Sequence, residues 1–325
     1  MRLRRWTSTL VVMRSLSLLL IVGVACAQPS SKDQATYSYD VNGRRVLDGR
    51  SSSVKGASGS ASGEMVATLD GKPMALQKVE ERVISSSPQG SVVERIVRRY
   101  DRGGNPGTVE KQVIEENKKP GGGSSIRKTV YEADLNGRFA LIERSTVDNV
   151  KTGLTERAEA VVKRPNLSGS FEATEKRVSV TQGDDKNRNK DVTVYRKGGN
   201  GTFEQAEREI EEFKTVNGQT VSNTTVYNAN PFGKMEFTAQ KVATLTKNAD
   251  GSEVEVIDHY GKSQPGRAAG AEGAPKLREQ QIVERKPGPD KTVVETLSVR
   301  TPNPDSNKLG AAAKISETIC SGVCK

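Results

Sequence analysis

The sequence predicts a mostly β chain of antiparallel hairpins. Three observations carry that expectation: a 32-residue beat of glycines, a second turn signal near the middle of each period, and alternating side chains between the turns. Gly137, Gly169, Gly201 and Gly233 keep the beat. Val130, Val162, Val194 and Val226 stand seven residues before them, and Phe139, Phe171, Phe203 and Met235 two after. Tyr131, Tyr195 and Tyr227 hold the column six before, with Lys163 in the remaining unit. Four columns in register over four units define a repeat, and these residues are the expected structural positions.

The chain opens on an address. Arg2, Arg4 and Arg5 precede an apolar stretch from Leu16 to Val24, and Ala25-Cys26-Ala27 offers small residues for cleavage after Ala27. Residues 1–27 therefore read as a secretory signal peptide and the chain as exported, to periplasm, cell surface or exterior. Cys26 also permits a lipid anchor, although Gly23 stands where such signals usually carry Leu. Loss of Arg2, Arg4, Arg5 and Arg14 with the leader lowers the net charge from +10 to +6. Trp6 leaves too, so no tryptophan remains to stack a sugar ring.

Residues 28–63 read as a flexible segment, because Ser51 to Gly63 is a run of Ser, Gly and Ala. The body is placed at 64–262. Within it, Gly153, Gly183, Asn217-Gly218 and Asp250-Gly251 fall between the beat glycines, and Asn-Gly or Asp-Gly suits tight hairpin turns that need positive φ. Each period is thus two strands, with beat glycines at one end and mid-period turns at the other. Alternation from Leu154 to Lys163 and the Thr/Val-rich Gln219 to Tyr227 agree. Phe203, Ala206, Ile210 and Phe213 have helical spacing instead, but their counterparts in other units do not, so strand is expected there. Residues 263–325 read as a Pro- and Gly-rich tail with a final hairpin over Lys276 to Glu284 and Lys291 to Arg300.

Only 34% of residues are apolar and 4% aromatic, so the core is expected to be thin. The expected architecture is an elongated meander, an open or curled sheet with flexible ends. A transmembrane barrel is set aside because charged residues fall on both strand faces, where a lipid-facing band would be apolar.

Catalytic and metal chemistry finds little material. His259 is the lone histidine, and its neighbour Asp258 must point to the opposite strand face, so the two cannot form an acid/base pair. One histidine excludes multi-histidine zinc sites. Cys320 and Cys324 remain as an even pair in an exported chain and read as a disulfide. Asp185, Asn187, Asn189 and Asp191 alternate like a calcium loop, but Lys186, Arg188 and Lys190 interleave and the late Glu is absent. Glu207, Glu209, Glu211 and Glu212 read as a solvated face, and Gly121-Gly122-Gly123 as a hairpin end without phosphate-loop context. No cofactor, metal or catalytic residue is expected. Basic residues are dispersed among acidic ones, apart from Arg95, Arg98 and Arg99, so nucleic acid is not an expected partner.

Tyr39-Asp40-Val41-Asn42-Gly43 and Tyr100-Asp101-Arg102-Gly103-Gly104 resemble the Tyr-Asp-x-x-Gly core of bacterial YD repeats, which build β-hairpins in large exported shells. The resemblance spans ten residues and implies hairpins only. The functional expectation is a non-catalytic exported scaffold or binding surface, partnered by a protein or envelope component and without a membrane span in the mature chain. The alternative is a periplasmic carrier or chaperone for an apolar or lipid ligand.

Overall fold

The computed structural model describes residues 30–39, 44–56, 60–69, 72–101, 103–262, 275–303 and 308–322. The signal peptide, Cys26, Cys324 and most of Gln264 to Pro275 lie outside them. Eighteen strands follow one another in sequence. The first six are β1 (Ser30–Tyr39), β2 (Arg45–Lys55), β3 (Ala61–Leu69), β4 (Lys72–Ser87), β5 (Gly90–Tyr100) and β6 (Pro106–Lys118). Next come β7 (Ser124–Ala133), β8 (Phe139–Thr152), β9 (Thr155–Pro165), β10 (Phe171–Gly183), β11 (Asn187–Lys197) and β12 (Phe203–Val216). The last are β13 (Gln219–Ala229), β14 (Met235–Lys247), β15 (Glu253–Lys262), β16 (Pro275–Pro287), β17 (Val293–Arg300) and β18 (Ala313–Gly322).

Each strand pairs antiparallel with the next, and β1 pairs with β18 from Lys32 opposite Gly322 to Ser38 opposite Ser316. The sheet is therefore a closed 18-stranded barrel. The open or curled sheet is corrected, and so are the flexible ends. The stretch from Ser51 to Gly63 lies largely in β2 and β3, and the tail supplies β16, β17 and β18. Its small residues misled because composition alone does not separate a linker from a strand. Gly49, Ser51, Ser53, Gly63 and Ala67 share one strand face with Met65.

Two turn families cap the two rims. Gly137, Gly169, Gly201 and Gly233 sit in turns that follow odd-numbered strands, each with φ between 75° and 81°. Asn217 (φ 51°) and Gly218 (φ 77°) close β12 to β13 at the opposite rim, as a primed hairpin turn requires. Bulges also keep the beat. Ile142, Thr174, Ala206 and Thr238 are the extra residues where the ladders β7–β8, β9–β10, β11–β12 and β13–β14 shift register. A bulge at Ala206 explains the helical-looking spacing in β12. Phe203 and Ile210 end on one face and Phe213 on the other, because the extra residue breaks the two-residue period.

Inward-pointing side chains converge in a closed cylinder, so the more covered of the two alternating sets faces the lumen. Val93, Val97, Val130, Val192, Val194, Ala243, Ile257, Val283 and Cys320 all belong to that set by register. The core is thin, as composition foretold: Ala243, Ile257 and Val283 form a small cluster against Leu297 on adjacent strands.

Candidate functional site

The lumen and the outward wall are the two surfaces this fold offers. On the lumen side, charges are held in cross-strand pairs. Glu81 of β4 accepts hydrogen bonds from Arg95 Nε at 2.9 Å and Nη2 at 2.7 Å, and its side chain is 4% exposed. Arg285 of β16 reaches Glu255 at 3.2 Å and Glu295 at 2.8 Å. Arg99 pairs with Glu110 and Arg164 with Glu143 on the same face. Glu207, Glu209 and Glu211 also point inward from β12, opposite Val194, Val192 and Lys190 of β11. Strands β2 and β3 contrast with them: Gly49, Ser51, Ser53, Gly63 and Met65 line a concavity of about 410 Å³.

The outward face carries a second set of pairs, among them Arg98–Glu80 at 2.9 Å, Arg82–Glu94 at 3.0 Å, Lys176–Glu159 at 2.8 Å and Arg208–Asp191 at 2.6 Å. These lie between β4 and β12. Across β13 and β14 the outward residues are uncharged: Val221, Asn223, Thr225 and Tyr227, then Phe237, Gln240, Val242 and Thr244.

The tyrosines are sorted completely. All seven, Tyr37, Tyr39, Tyr100, Tyr131, Tyr195, Tyr227 and Tyr260, point outward from the ends of odd-numbered strands, and so ring one rim. Phe139, Phe171, Phe203 and Phe237 join them from the starts of even-numbered strands. Tyr227 and Phe237 meet edge to face with centroids 6.5 Å apart. Arg144 lies 5.0 Å over Phe171, and Lys111 lies between Tyr131 (5.1 Å) and Phe139 (5.3 Å). The Val, Tyr and Phe columns of the repeat thus divide by side. Val130, Val162, Val194 and Val226 face the lumen, while the aromatic columns and Met235 form an outer collar. Sequence reasoning found the columns but not the collar, whose signal was that every tyrosine precedes a turn at the same end.

The other singled-out residues are scattered. His259 faces the lumen beside Lys241 and Glu279, while Asp258 points outward and accepts from Gln280 Nε2 at 2.9 Å. Asn189 and Asp191 point outward and Asp185 lies in a turn, so they converge on nothing. Gly121-Gly122-Gly123 closes the β6 to β7 hairpin. Cys320 faces the lumen from β18 and is disulfide-bonded. No cluster of His, Cys, Asp and Glu suited to a metal occurs among the described residues.

Comparison with protein families and with curated protein sequences finds no match. Solved structures do match in fold. A substituted porin of Rh. blastica aligns over 90% of this chain and 99% of its own, at 7% identity and a TM-score of 0.54. Salmonella typhi OmpF, solved in complex with daunomycin, aligns over 91% and 97% at 10% identity with a TM-score of 0.50. The fold is porin-like.

Two expectations fall with that finding. A scaffold offering free strand edges, or a carrier cradling an apolar ligand in a curled sheet, needs an open sheet, and this one has no edge and a charged lumen. The expectation of no membrane span loses its ground as well, since it was argued for an open sheet. Among the described residues no helix is long and apolar enough to cross a membrane, which says nothing of a closed barrel, a fold able to cross by strands.

Proposed function

We propose that the mature chain is an outer-membrane channel, a water-filled barrel through which small solutes pass. The observation that carries this reading is the pairing of β1 with β18, which encloses a lumen lined by charged and hydroxyl side chains. An 11-residue strand such as β9 or β13, tilted by about 40°, covers a height of about 28 Å, enough for the apolar layer of an outer membrane. The export signal and the porin-like fold support the same location. Aromatic residues favour the headgroup region, which gives the tyrosine collar a role at one interface. Transport rather than catalysis is the activity that this arrangement favours.

The outward charges between β4 and β12 set the sharpest test. An Arg or Lys facing lipid at mid-height costs about 2–4 kcal/mol, and pairing with a neighbouring carboxylate reduces but does not abolish that cost. Purified protein added to a planar lipid bilayer should give discrete conductance steps, and the native protein should stay with membranes after alkaline carbonate extraction. Release by carbonate together with a silent bilayer would refute the channel.

A further inference from the structure

Three Asn-Gly pairs among the described residues sit in hairpin turns: Asn136-Gly137 between β7 and β8, Asn200-Gly201 between β11 and β12, and Asn217-Gly218 between β12 and β13. All six residues are exposed, and each glycine has φ between 75° and 81°. What separates the pairs is the glycine amide. Gly137 donates to the Asp134 carbonyl at 2.9 Å, and Gly201 to the Gly198 carbonyl at 3.0 Å. Gly218 has no acceptor among the described residues, because a two-residue turn pairs Val216 directly with Gln219 and leaves the amide between them open to water. The two bonded turns are also tied by other groups. Asn136 donates its own amide to Asp134 Oδ1 at 2.8 Å, and Asn200 Oδ1 accepts from the Thr202 amide at 2.9 Å while its Nδ2 donates to Glu204 at 3.1 Å. Val216, beside the third pair, is 49% exposed.

We propose that Asn217 is a self-modification site: in the folded protein it deamidates through a succinimide, ahead of Asn136 and Asn200. The Gly218 amide gives its proton to hydroxide, and its nitrogen attacks Asn217 Cγ. A bond forms between that nitrogen and Cγ, the Cγ–Nδ2 bond breaks, and Nδ2 leaves as ammonia with a proton from water. Water then opens the five-membered ring at one of its two carbonyls. Cleavage at Cγ leaves aspartate, and cleavage at the main-chain carbonyl leaves isoaspartate. Glycine permits the attack because it has no Cβ to shield its nitrogen. An amide that already donates a hydrogen bond loses its proton less readily, since the bond stabilises the protonated form; Gly137 and Gly201 are the poorer nucleophiles for that reason. Either product puts a new carboxylate at the rim opposite the tyrosine collar. Isoaspartate also lengthens the backbone by a methylene in a turn whose two central residues are both left-handed, so the Val216–Gln219 end of the ladder frays. The site marks the age of the molecule by an added charge. This inference goes beyond the channel reading and does not rest on it.

The test incubates mature protein in detergent at pH 8.5 and 37 °C beside a sample unfolded in guanidinium, with peptides mapped by mass spectrometry, where each conversion adds about 1 Da. In the folded sample Asn217 should convert at least about tenfold faster than Asn136 and Asn200, with isoaspartate among its products. In the unfolded sample the three rates should fall within about threefold of one another. The Asn217 rate should rise with pH from 7 to 8.5, and Asn217→Gly should abolish the mass gain in its peptide while the other two sites keep their rates. Equal rates in the folded protein, or an order led by Asn136 or Asn200, overturn the inference. So does an unfolded sample that keeps the folded order in full, or an Asn217 rate that is flat with pH, since the step needs the deprotonated amide.

Discussion

Replacing Arg95 by Met should destabilise the barrel by about 2–3 kcal/mol, and the structure shows why the cost falls on its partner. Both bonds from the Arg95 guanidinium go to one oxygen of Glu81, whose side chain is 4% exposed while that of Arg95 is 21% exposed. Val83 and Val93 pair on one side of this couple and Val79 and Val97 on the other, all on the lumen face. A stranded carboxylate there is walled by valine, and water cannot readily take the guanidinium's place. Breaking a fully buried pair typically costs about 3–5 kcal/mol; the lower figure here reflects the solvent that reaches Arg95. Glu81→Leu together with Arg95→Met removes the charge along with its partner and should return most of the loss, giving a coupling energy of about 2 kcal/mol. Equilibrium guanidinium unfolding followed by circular dichroism reads all four corners of the cycle. A single Arg95→Met cost below about 0.5 kcal/mol, or strictly additive substitutions, would refute the reasoning. Arg127–Glu115, outward, 3.4 Å apart and largely exposed, should give a coupling below about 1 kcal/mol in the same assay.

Ile257, 1% exposed at the centre of the small lumenal cluster, should cost about 2–3 kcal/mol when cut to Ala, at the lower end for a buried aliphatic because few neighbours surround it; the same denaturation curves measure it. Gly218→Val places a β-branched residue at φ 77° and should cost about 1–2 kcal/mol, whereas Asn217→Gly should be nearly neutral. Asp101 is held below the usual carboxylate range by the Asn105 side-chain amide and by backbone amides, and Asp184 by the amides of Asn187 and Lys186. A depressed folded-state value means that the stabilisation is present above the unfolded carboxylate pKa and is lost as pH falls through the folded one. Hydrogen exchange in these two turns should therefore quicken relative to the strands below about pH 4, and an unchanged ratio would count against the turn bonds. Deleting residues 170–201 removes one 32-residue unit and should leave a 16-stranded barrel; on the proposed channel reading its conductance should be about four-fifths of that of the full chain, since diameter scales with strand number, and complete unfolding would show that the units are not interchangeable.

Much of the wall was legible. The beat of Gly137, Gly169, Gly201 and Gly233 located turns at one rim, and the mid-period signals located turns at the other, because positive φ narrows residue choice sharply. What sequence missed was closure. No residue type announces that Ser38 will lie beside Ser316, and small side chains such as Ser51 and Gly63 have the composition of a linker in either setting. The collar was hidden for a different reason. Tyr131 and Val130 are adjacent in sequence, and only the handedness of the closed sheet decides which of them faces out.

The same closure shapes how the molecule must come into being. Every other ladder joins consecutive strands, so hairpins can form as the chain emerges, each on a short loop. The final seam joins partners as far apart as Thr36 and Thr318, whose hydroxyls meet at 3.2 Å across 282 positions of chain. Until β18 is made, the sheet carries two raw edges with unpaired amides and carbonyls, open to pairing with any passing strand. The time between synthesis and the last hydrogen-bonded row is thus the protein's most aggregation-prone interval, and truncation anywhere before β18 lengthens it without limit.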